Sequence, residues 1–461
     1  MTHTRIAVID IGKTNAKLAL IDAGTLSEIA VTTRPNKVLP GPPWPHFDLE
    51  GHWTFLLDGL RDMHAAHGID AISVTTHGAS GVLLDAEGGL AAPMLDYEHD
   101  GPDAWAAEYD ALRPSFAETG SPRLPQGLNL GAQFHYMLAT DPGLAARIRH
   151  VVTYPQYWGF RLTGEVASDV TSLGCHTDLW NPWEVAPSPI LGRLGLDGRL
   201  APARKSTDIL GPITADVARR TGLSPDTPVA CGIHDSNASL YPHLLAREAP
   251  FAVVSTGTWV VAMAVGGTDD ALDPARDTLV NVDARGGTVP SARFMGGREY
   301  EMIRDGSEAE PGEADRAAVL AGLYLLPTIS GNTGPFPGRR GGFTHDPPSE
   351  AARMLALSYY LALMTQTCLE LIGARGRVIV EGPFASNRHY LDMLSALRPG
   401  EVEATVSATG TSVGGALLFA AGWTPPPASP LEPSDPEALR RYAESWRSRV
   451  ENELPMRQAS T

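Results

Sequence analysis

The chain has 461 residues, 43% of them hydrophobic, and its 36 Lys and Arg against 53 Asp and Glu give a formal net charge of −17. That length predicts about two to four domains with sizeable cores, and the acidic balance argues against nucleic acid or an anionic membrane as partner. Its three cysteines, Cys175, Cys231 and Cys368, are too few and too scattered for a disulfide framework or a C-x-x-C zinc site, which fits a reducing cytoplasm. The first apolar run is short and broken by Asp10, unlike a secretory signal, and no run approaches the length of a membrane span.

In chain order, RIAVIDI at 5–11 predicts a buried strand, GKTN a tight turn, and residues 16–21 and 28–33 two more strands of an antiparallel meander. Trp53, Leu56, Leu57, Leu60 and Met63 recur at helical spacing, and IDAISVTTHG then reads as a strand that ends in a polar turn at His77 and Gly78. A short strand or loop follows at 81–84. Helical segments are expected at 103–112 and 133–148, and YPQYWGFRLTGEVASD reads as a helix closed by a glycine turn. PVACGI reads as a strand that feeds a helix from Asp235. Residues 251–264 (FAVVSTGTWVVAMA) repeat the opening strand–turn–strand theme, which suggests an internal duplication.

The stretch 330–347 is rich in Gly and Pro and predicts a loop. A long helix then carries Leu357, Leu361, Met364, Cys368 and Leu371 on one face and leads to the strand RVIV and the turn EGPFASN. VEATV predicts a strand, 411–421 a closely packed helix, 423–433 a linker, and Asp435-Pro436 the cap and first turn of a terminal helix through Val450.

Chemistry concentrates in a few turns. Asp10-Ile11-Gly12-Lys13-Thr14-Asn15 sets a carboxylate at a strand end, followed by a glycine whose backbone can approach a phosphate. Ordinary hairpin chemistry is the competing reading. A Walker loop fits poorly, because the glycine it needs five residues before Gly12 is Ala7, inside an apolar strand. Asp10 suits a phosphate-bound Mg²⁺ held through water. Thr256-Gly257-Thr258 is the second phosphate candidate, on the repeated hairpin. Asp235 is either a helix N-cap or a general base that takes the proton of an attacking alcohol.

The segments DIGKTNAK, TTHG, LDYEHD, RLTGEVASD, GIHDSNAS, STGTW, VIVEGPFASN and TSVGGALLFAAG resemble, in order and spacing, those of the FGGY carbohydrate kinases. They run from residue 5 to 422. The resemblance implies an α/β, two-domain actin-like ATPase fold, ribonuclease H-like in each half, with an interdomain cleft. It implies a sugar-binding domain at 1–246, a nucleotide-binding domain at 247–422, and a linker and C-terminal helix at 423–461. Carried over by position, Asp235 is the catalytic base and Asp10 serves magnesium. Gly12, Lys13, Thr14, Asn15, Thr256, Gly257, Thr258, Gly382 and Asn387 serve the nucleotide, and His77, Gly78 and Glu98, on the segment Asp96 to Glu98, serve the sugar with Asp235. Gln133 is a weaker sugar candidate.

The implied activity is ATP- and Mg²⁺-dependent phosphorylation of a small sugar. His234-Asp235, Gly257-Thr258-Trp259 and FMGGREYEMIRD at 294–305 resemble the rhamnulose and fuculose kinases, which points to a ketose, a 6-deoxyhexulose or a pentulose. Trp259 reads equally well as ordinary core. Neither nucleic acid nor a membrane is expected as a partner, the location is cytoplasmic, and a homodimer stays open. Two rival classes are an idle sugar or nucleotide sensor and an actin-like or chaperone ATPase. Three departures from the family pattern stand out: Lys13 where relatives usually carry a small or hydroxyl residue, Pro383 where many have a second glycine, and the extended loop at 330–347.

Overall fold

The computed structural model describes residues 3–331, 333–405, 410–420, 423 and 429–452. Contacts divide the chain into two units. The first comprises Met1–Ala246, Val280–Thr288 and Thr409–Pro425; the second comprises Arg247–Leu279, Val289–Ala408 and Pro426–Thr461. The linear division expected from the sequence therefore differs at three places. Residues 280–288 and 409–425 group with the first unit, and the helix expected to follow a linker groups with the second. Residues 421 and 422, the end of the expected helix and domain, and 424–428 of the expected linker lie outside the described residues.

The first unit is built on a sheet whose strands run in the order Ile209–Pro212, Pro228–Ala230, Ala71–Thr76, Arg5–Ile11, Asn15–Asp22 and Glu28–Pro35, with Ile233–His234 also paired to Ala71–Thr76. The expected meander is present: Arg5–Ile11 pairs antiparallel with Asn15–Asp22, which pairs antiparallel with Glu28–Pro35. Arg5–Ile11 also runs parallel to Ala71–Thr76, with Asp10 opposite Thr75, and Ile233 faces the same Thr75 from the other side. This register matters for function. It brings the carboxyl ends of three parallel strands to one edge, where a doubly covered sheet leaves room for ligands.

The helix Leu49–His67 buries Trp53, Leu56, Leu57, Leu60 and Met63, as their spacing predicts. Asp48 starts it by accepting from the Gly51 amide at 3.0 Å, and Gly68 closes it at φ +77°. The helix expected over 133–148 is instead two helices, Leu130–Thr140 and Leu144–Arg147. The break falls at Asp141-Pro142-Gly143, where proline removes an amide donor and the Asp141 carboxylate accepts from the Gly143 amide at 3.1 Å.

The second unit repeats the opening motif. Phe251–Thr256 pairs antiparallel with Val260–Val265 and parallel with Arg377–Glu381, which runs parallel to Val402–Thr405. Helix Glu350–Leu371 buries Leu357, Leu361, Met364, Cys368 and Leu371. The terminal helix Pro436–Asn452 is part of this unit's core: Trp446 is 2% exposed, and its indole donates to the Leu325 carbonyl at 2.7 Å. All three cysteines are buried, and none is in a disulfide. Among the described residues no helix is long and apolar enough to cross a membrane.

Candidate functional site

In the first unit, the sheet edge assembles Asp10, His77, His234 and Asp235. Asp10 ends a strand whose apolar residues are buried, and its Oδ2 accepts from Ser412 at 2.8 Å and from the Thr411 hydroxyl. Burial pushes its carboxyl above the ordinary value, the two hydroxyls oppose this, and the nearby Asp235 adds to the rise. The following turn closes when Gly12 donates to the Asn15 carbonyl at 2.9 Å, while the Asn36 side chain holds the Gly12 carbonyl at 2.8 Å. A Cβ on Gly12 would meet only the Asn15 carbonyl, at 3.6 Å. The turn itself therefore does not demand glycine there, and the bare face is available to a ligand.

His77 follows Ala71–Thr76, and its amide donates to the Ile11 carbonyl at 2.9 Å, tying the two turns together. Its ring sits among Phe47, Tyr97 and Tyr154, with centroids 5.3, 5.3 and 5.2 Å away. Burial holds the imidazole neutral. Nδ1 lies 3.0 Å from the Gly78 carbonyl, so the proton belongs on Nδ1 and Nε2 is an acceptor. That Nε2 is buried without a partner, as an atom reserved for a hydroxyl donor would be. Gly78 is required by packing, since a Cβ would lie 2.5 Å from the His234 ring.

Asp235 opens the helix Asp235–Ala246, and its side chain is about a third exposed (32%), within reach of a ligand. The Ser236 amide donates to its Oδ1 at 2.6 Å, and His234 Nε2 lies 3.0 Å from the same oxygen. Burial lowers the His234 pKa to about 4, so the ring is neutral and donates its Nε2–H to the carboxylate. Burial also raises the carboxyl of Asp235 itself. The result is a fixed, partly buried carboxylate whose raised pKa makes it a better proton acceptor than a free one.

Lys13 does not extend along its own turn. Its ammonium pairs with Asp96 and lies 3.1 Å from Glu98, over the rings of Phe47 and Tyr97 at 5.0 and 4.7 Å. Thr14 and Asn15 stay on the turn, where the Asn15 amide nitrogen lies 3.5 Å from the Thr14 hydroxyl. Gln133 is buried, and its side-chain amide donates to the carbonyls of Ala79 and Gly127; it is a structural tie between loops.

In the second unit, the hairpin turn Gly257-Thr258 lies beside the loop after Arg377–Glu381. Thr256 is buried. Its hydroxyl donates to the Glu381 carbonyl at 2.6 Å and accepts from the Phe384 amide at 3.0 Å, so it braces the two turns. Gly382, at φ +82°, has no room for a Cβ, which would overlap the Thr256 carbonyl. Gly257 contrasts with it: the nearest atom to a Cβ there is the Trp259 carbonyl at 3.8 Å. Trp259 lies under the Arg293 guanidinium at 4.9 Å.

A cavity of about 520 Å³ opens on this turn, lined by Gly257, Thr258, Gly297, Arg298, Tyr300, Glu301, Pro383, Phe384 and Asn387. Asn387 caps the helix Arg388–Leu397 by accepting from the Tyr390 amide at 3.1 Å, and its side-chain amide donates to Ser358 at 3.1 Å. Pro383 thus lines the cavity, at the position that departs from the family pattern.

Three supporting residues escaped the sequence reading. Thr411 and Ser412 hold Asp10 from 401 and 402 residues away. Glu299 is buried, its carboxyl raised by burial, and accepts from the amides of Ile329 and Ser330 at 3.2 and 2.9 Å and from the Tyr360 hydroxyl at 2.7 Å. It anchors the helix Gly296–Arg304, which supplies four lining residues of the cavity. A charged residue within FMGGREYEMIRD was the only signal for it.

Among the described residues no three His, Cys, Asp or Glu side chains cluster as a metal cage. Magnesium takes one or two carboxylates and completes its shell with water and substrate phosphates. Asp10 is a donor of the right kind, with Oδ2 already engaged by two hydroxyls.

Comparison with known proteins identifies the family. Residues 5–241 match the N-terminal domain of the FGGY family of carbohydrate kinases, and residues 248–427 match the FGGY carbohydrate kinase C-terminal domain. A carbohydrate kinase from Novosphingobium aromaticivorans is 37% identical, with a TM-score of 0.89 over 98% of this chain and 100% of that one. A xylulose kinase from Rhodospirillum rubrum, 21% identical, shares the fold with a TM-score of 0.75 over 96% of this chain and 98% of that one. An L-fuculokinase from Salmonella typhi is 26% identical over 322 residues, and the match spans 66% of each of the two chains, just under two thirds of that relative's length. The architecture is mixed α/β, of the two-domain actin-like ATPase type shared by these kinases. By both of its domain matches and by this fold, the chain belongs to the FGGY family of carbohydrate kinases.

Proposed function

We propose that the protein transfers the γ-phosphoryl group of ATP to a hydroxyl of a small sugar, with Asp235 as general base. The observation that carries this reading is the sheet edge of the first unit. There a half-buried carboxylate, oriented by a neutral His234, stands near a buried imidazole whose Nε2 has no partner. A sugar that donates one hydroxyl to Nε2 of His77 is thereby held near Asp235, which takes the proton of a second hydroxyl as that oxygen attacks the γ-phosphate and ADP leaves. Phosphoryl transfer asks mainly for positioning and charge stabilisation, so one such base suffices.

Gly12 and Gly257 support the phosphate role of the two turns, since a Cβ at either would meet no protein atom closer than 3.6 Å, so neither is required by its own turn and each leaves room for a ligand. The cavity beside Gly257, walled by Tyr300, Phe384 and Asn387, suits a nucleoside. Asp10 would hold magnesium through water, and the ion would neutralise charge on the phosphates. Thr256 enters this scheme as a brace and Gly382 as a packing requirement, both indirect supports of the nucleotide.

The acceptor in this reading is a ketose, a 6-deoxyhexulose or a pentulose. The L-fuculokinase relative and the segments His234-Asp235, Gly257-Thr258-Trp259 and 294–305 support it. A coupled ADP-release screen over ketoses, polyols and aldoses, with Asp235→Asn as blank, tests it. Sugar-dependent ADP release confined to ketoses is expected. ADP release without any sugar would refute the kinase reading, and turnover confined to aldoses would refute the ketose assignment.

A further inference from the structure

Lys13 lies in the turn whose neighbours are assigned to phosphate, and a cation there invites the same assignment. Its surroundings say otherwise. The ammonium has two carboxylate partners, Asp96 and Glu98, and two aromatic faces, Phe47 and Tyr97. Asp96 is 7% exposed and anchored through its own backbone: its amide donates to the Pro45 carbonyl at 2.9 Å, and its carbonyl accepts from His99 at 3.0 Å. Glu98 is tied back by its amide, 3.2 Å from the Asp96 carboxylate. Phe47 and Tyr97 are the same rings that pack on His77. Lys13 therefore joins the phosphate turn to the segment 96–98 and to the walls of the histidine pocket.

We infer that Lys13 is a positioning residue for the acceptor, holding the Asp96–Glu98 segment and the Phe47 and Tyr97 walls in register, and that this pocket takes a neutral polyhydroxylated molecule in preference to a carboxylated one. The inference rests on the kinase reading and deepens it. Two features carry the second half. The single ammonium is already matched by Asp96 and Glu98, and Asp235 adds a further carboxylate while His77 and His234 are neutral. A sugar acid would bring another negative charge beside the carboxylates of Asp96, Glu98 and Asp235, where the Lys13 ammonium is already paired, and like charges in a partly desolvated site repel. A neutral sugar finds carboxylate acceptors for its hydroxyls and aromatic faces for its C–H surface.

The test measures ATP affinity by calorimetry and steady-state KM values for ATP and for an acceptor, in the parent and in Lys13→Met and Lys13→Arg. The acceptor probes are L-fuculose, D-xylulose and, as the carboxylated comparison, D-gluconate. Lys13→Met is expected to raise acceptor KM about tenfold or more, to leave ATP affinity within about twofold, and to be partly restored by Lys13→Arg, which keeps the charge. D-gluconate is expected to be the poorest acceptor of the parent. A tenfold loss of ATP affinity would assign Lys13 to the phosphates and overturn the inference. Unchanged values for both substrates would reduce Lys13 to a surface ion pair and overturn it equally, as would parental preference for D-gluconate. Thermal melting of both variants shows whether they are folded. A parent with no sugar-dependent turnover at all fails before any substitution is made; that outcome removes the kinase reading and this inference with it.

Discussion

Replacing Asp235 by Asn removes one proton acceptor while keeping nearly every contact of the side chain. The Ser236 amide at 2.6 Å and His234 Nε2 at 3.0 Å both meet Oδ1, and an amide carbonyl accepts from both. The substitution also relieves a carboxylate that burial disfavours, so folding stability is expected to change by less than about 1 kcal/mol. Catalysis is another matter. A positioned general base is worth about 10² to 10⁴ in rate, or about 2.7 to 5.5 kcal/mol of activation free energy. The expected signature is a fall of that size in kcat, with acceptor binding by calorimetry held within a few-fold. In the parent, the acid limb of the kcat/KM profile reports the free base and is expected above the ordinary carboxylate value of 3.8, because burial raises Asp235. The limb should vanish from the residual activity of the Asn variant. A variant that keeps a kcat near parental, or keeps the same acid limb, refutes the assignment of the base.

Gly382→Ala is expected to lose about 2 kcal/mol or more of stability in chemical denaturation, since its φ of +82° is disfavoured and the new methyl overlaps the Thr256 carbonyl. Gly257→Ala should fold with parental stability to within about 1 kcal/mol but raise the KM for ATP about tenfold, as its Cβ meets no protein atom within 3.4 Å and intrudes only on a ligand. A third test is linkage at His52, which is buried, donates Nε2–H to Asn36 at 2.8 Å, faces the Arg34 guanidinium with Nδ1 at 3.0 Å, and is lowered from 6.5 to about 4. The folded state keeps it neutral while the unfolded chain protonates it, so stability is full above 6.5 and falls as pH drops toward 4, by up to ~3 kcal/mol. Melting temperatures of the parent and His52→Gln across that window check this: the variant should start less stable and show a flatter slope.

Much of the site was legible because it is local. A carboxylate at the end of an apolar strand, a histidine after another, and a repeated hairpin with a glycine in its bend are all written within a few adjacent residues. What escaped depends on partners far along the chain. Nothing near Lys13 announces Asp96, 83 residues away, and nothing near Thr256 shows that its hydroxyl is committed to Glu381 and Phe384. One helical segment was expected over 133–148, but proline and glycine at 142 and 143 break it in two. Glu299 is buried against three donors from two distant segments, 329–330 and Tyr360, which no periodicity records.

The return of residues 409–425 to the first unit fixes the order in which that unit can be completed. Its opening strand packs Val8 against Gly415, and Gly414 sits where a methyl would strike the Ala238 carbonyl. A nascent chain emerging from the ribosome would thus carry its first strand, and the acid at its end, through the synthesis of almost the whole polypeptide before the closing helix arrives. Dissection at residue 246 would strand an unfinished sheet with one face bare, so the two halves cannot be treated as interchangeable parts to be expressed, swapped or evolved one at a time.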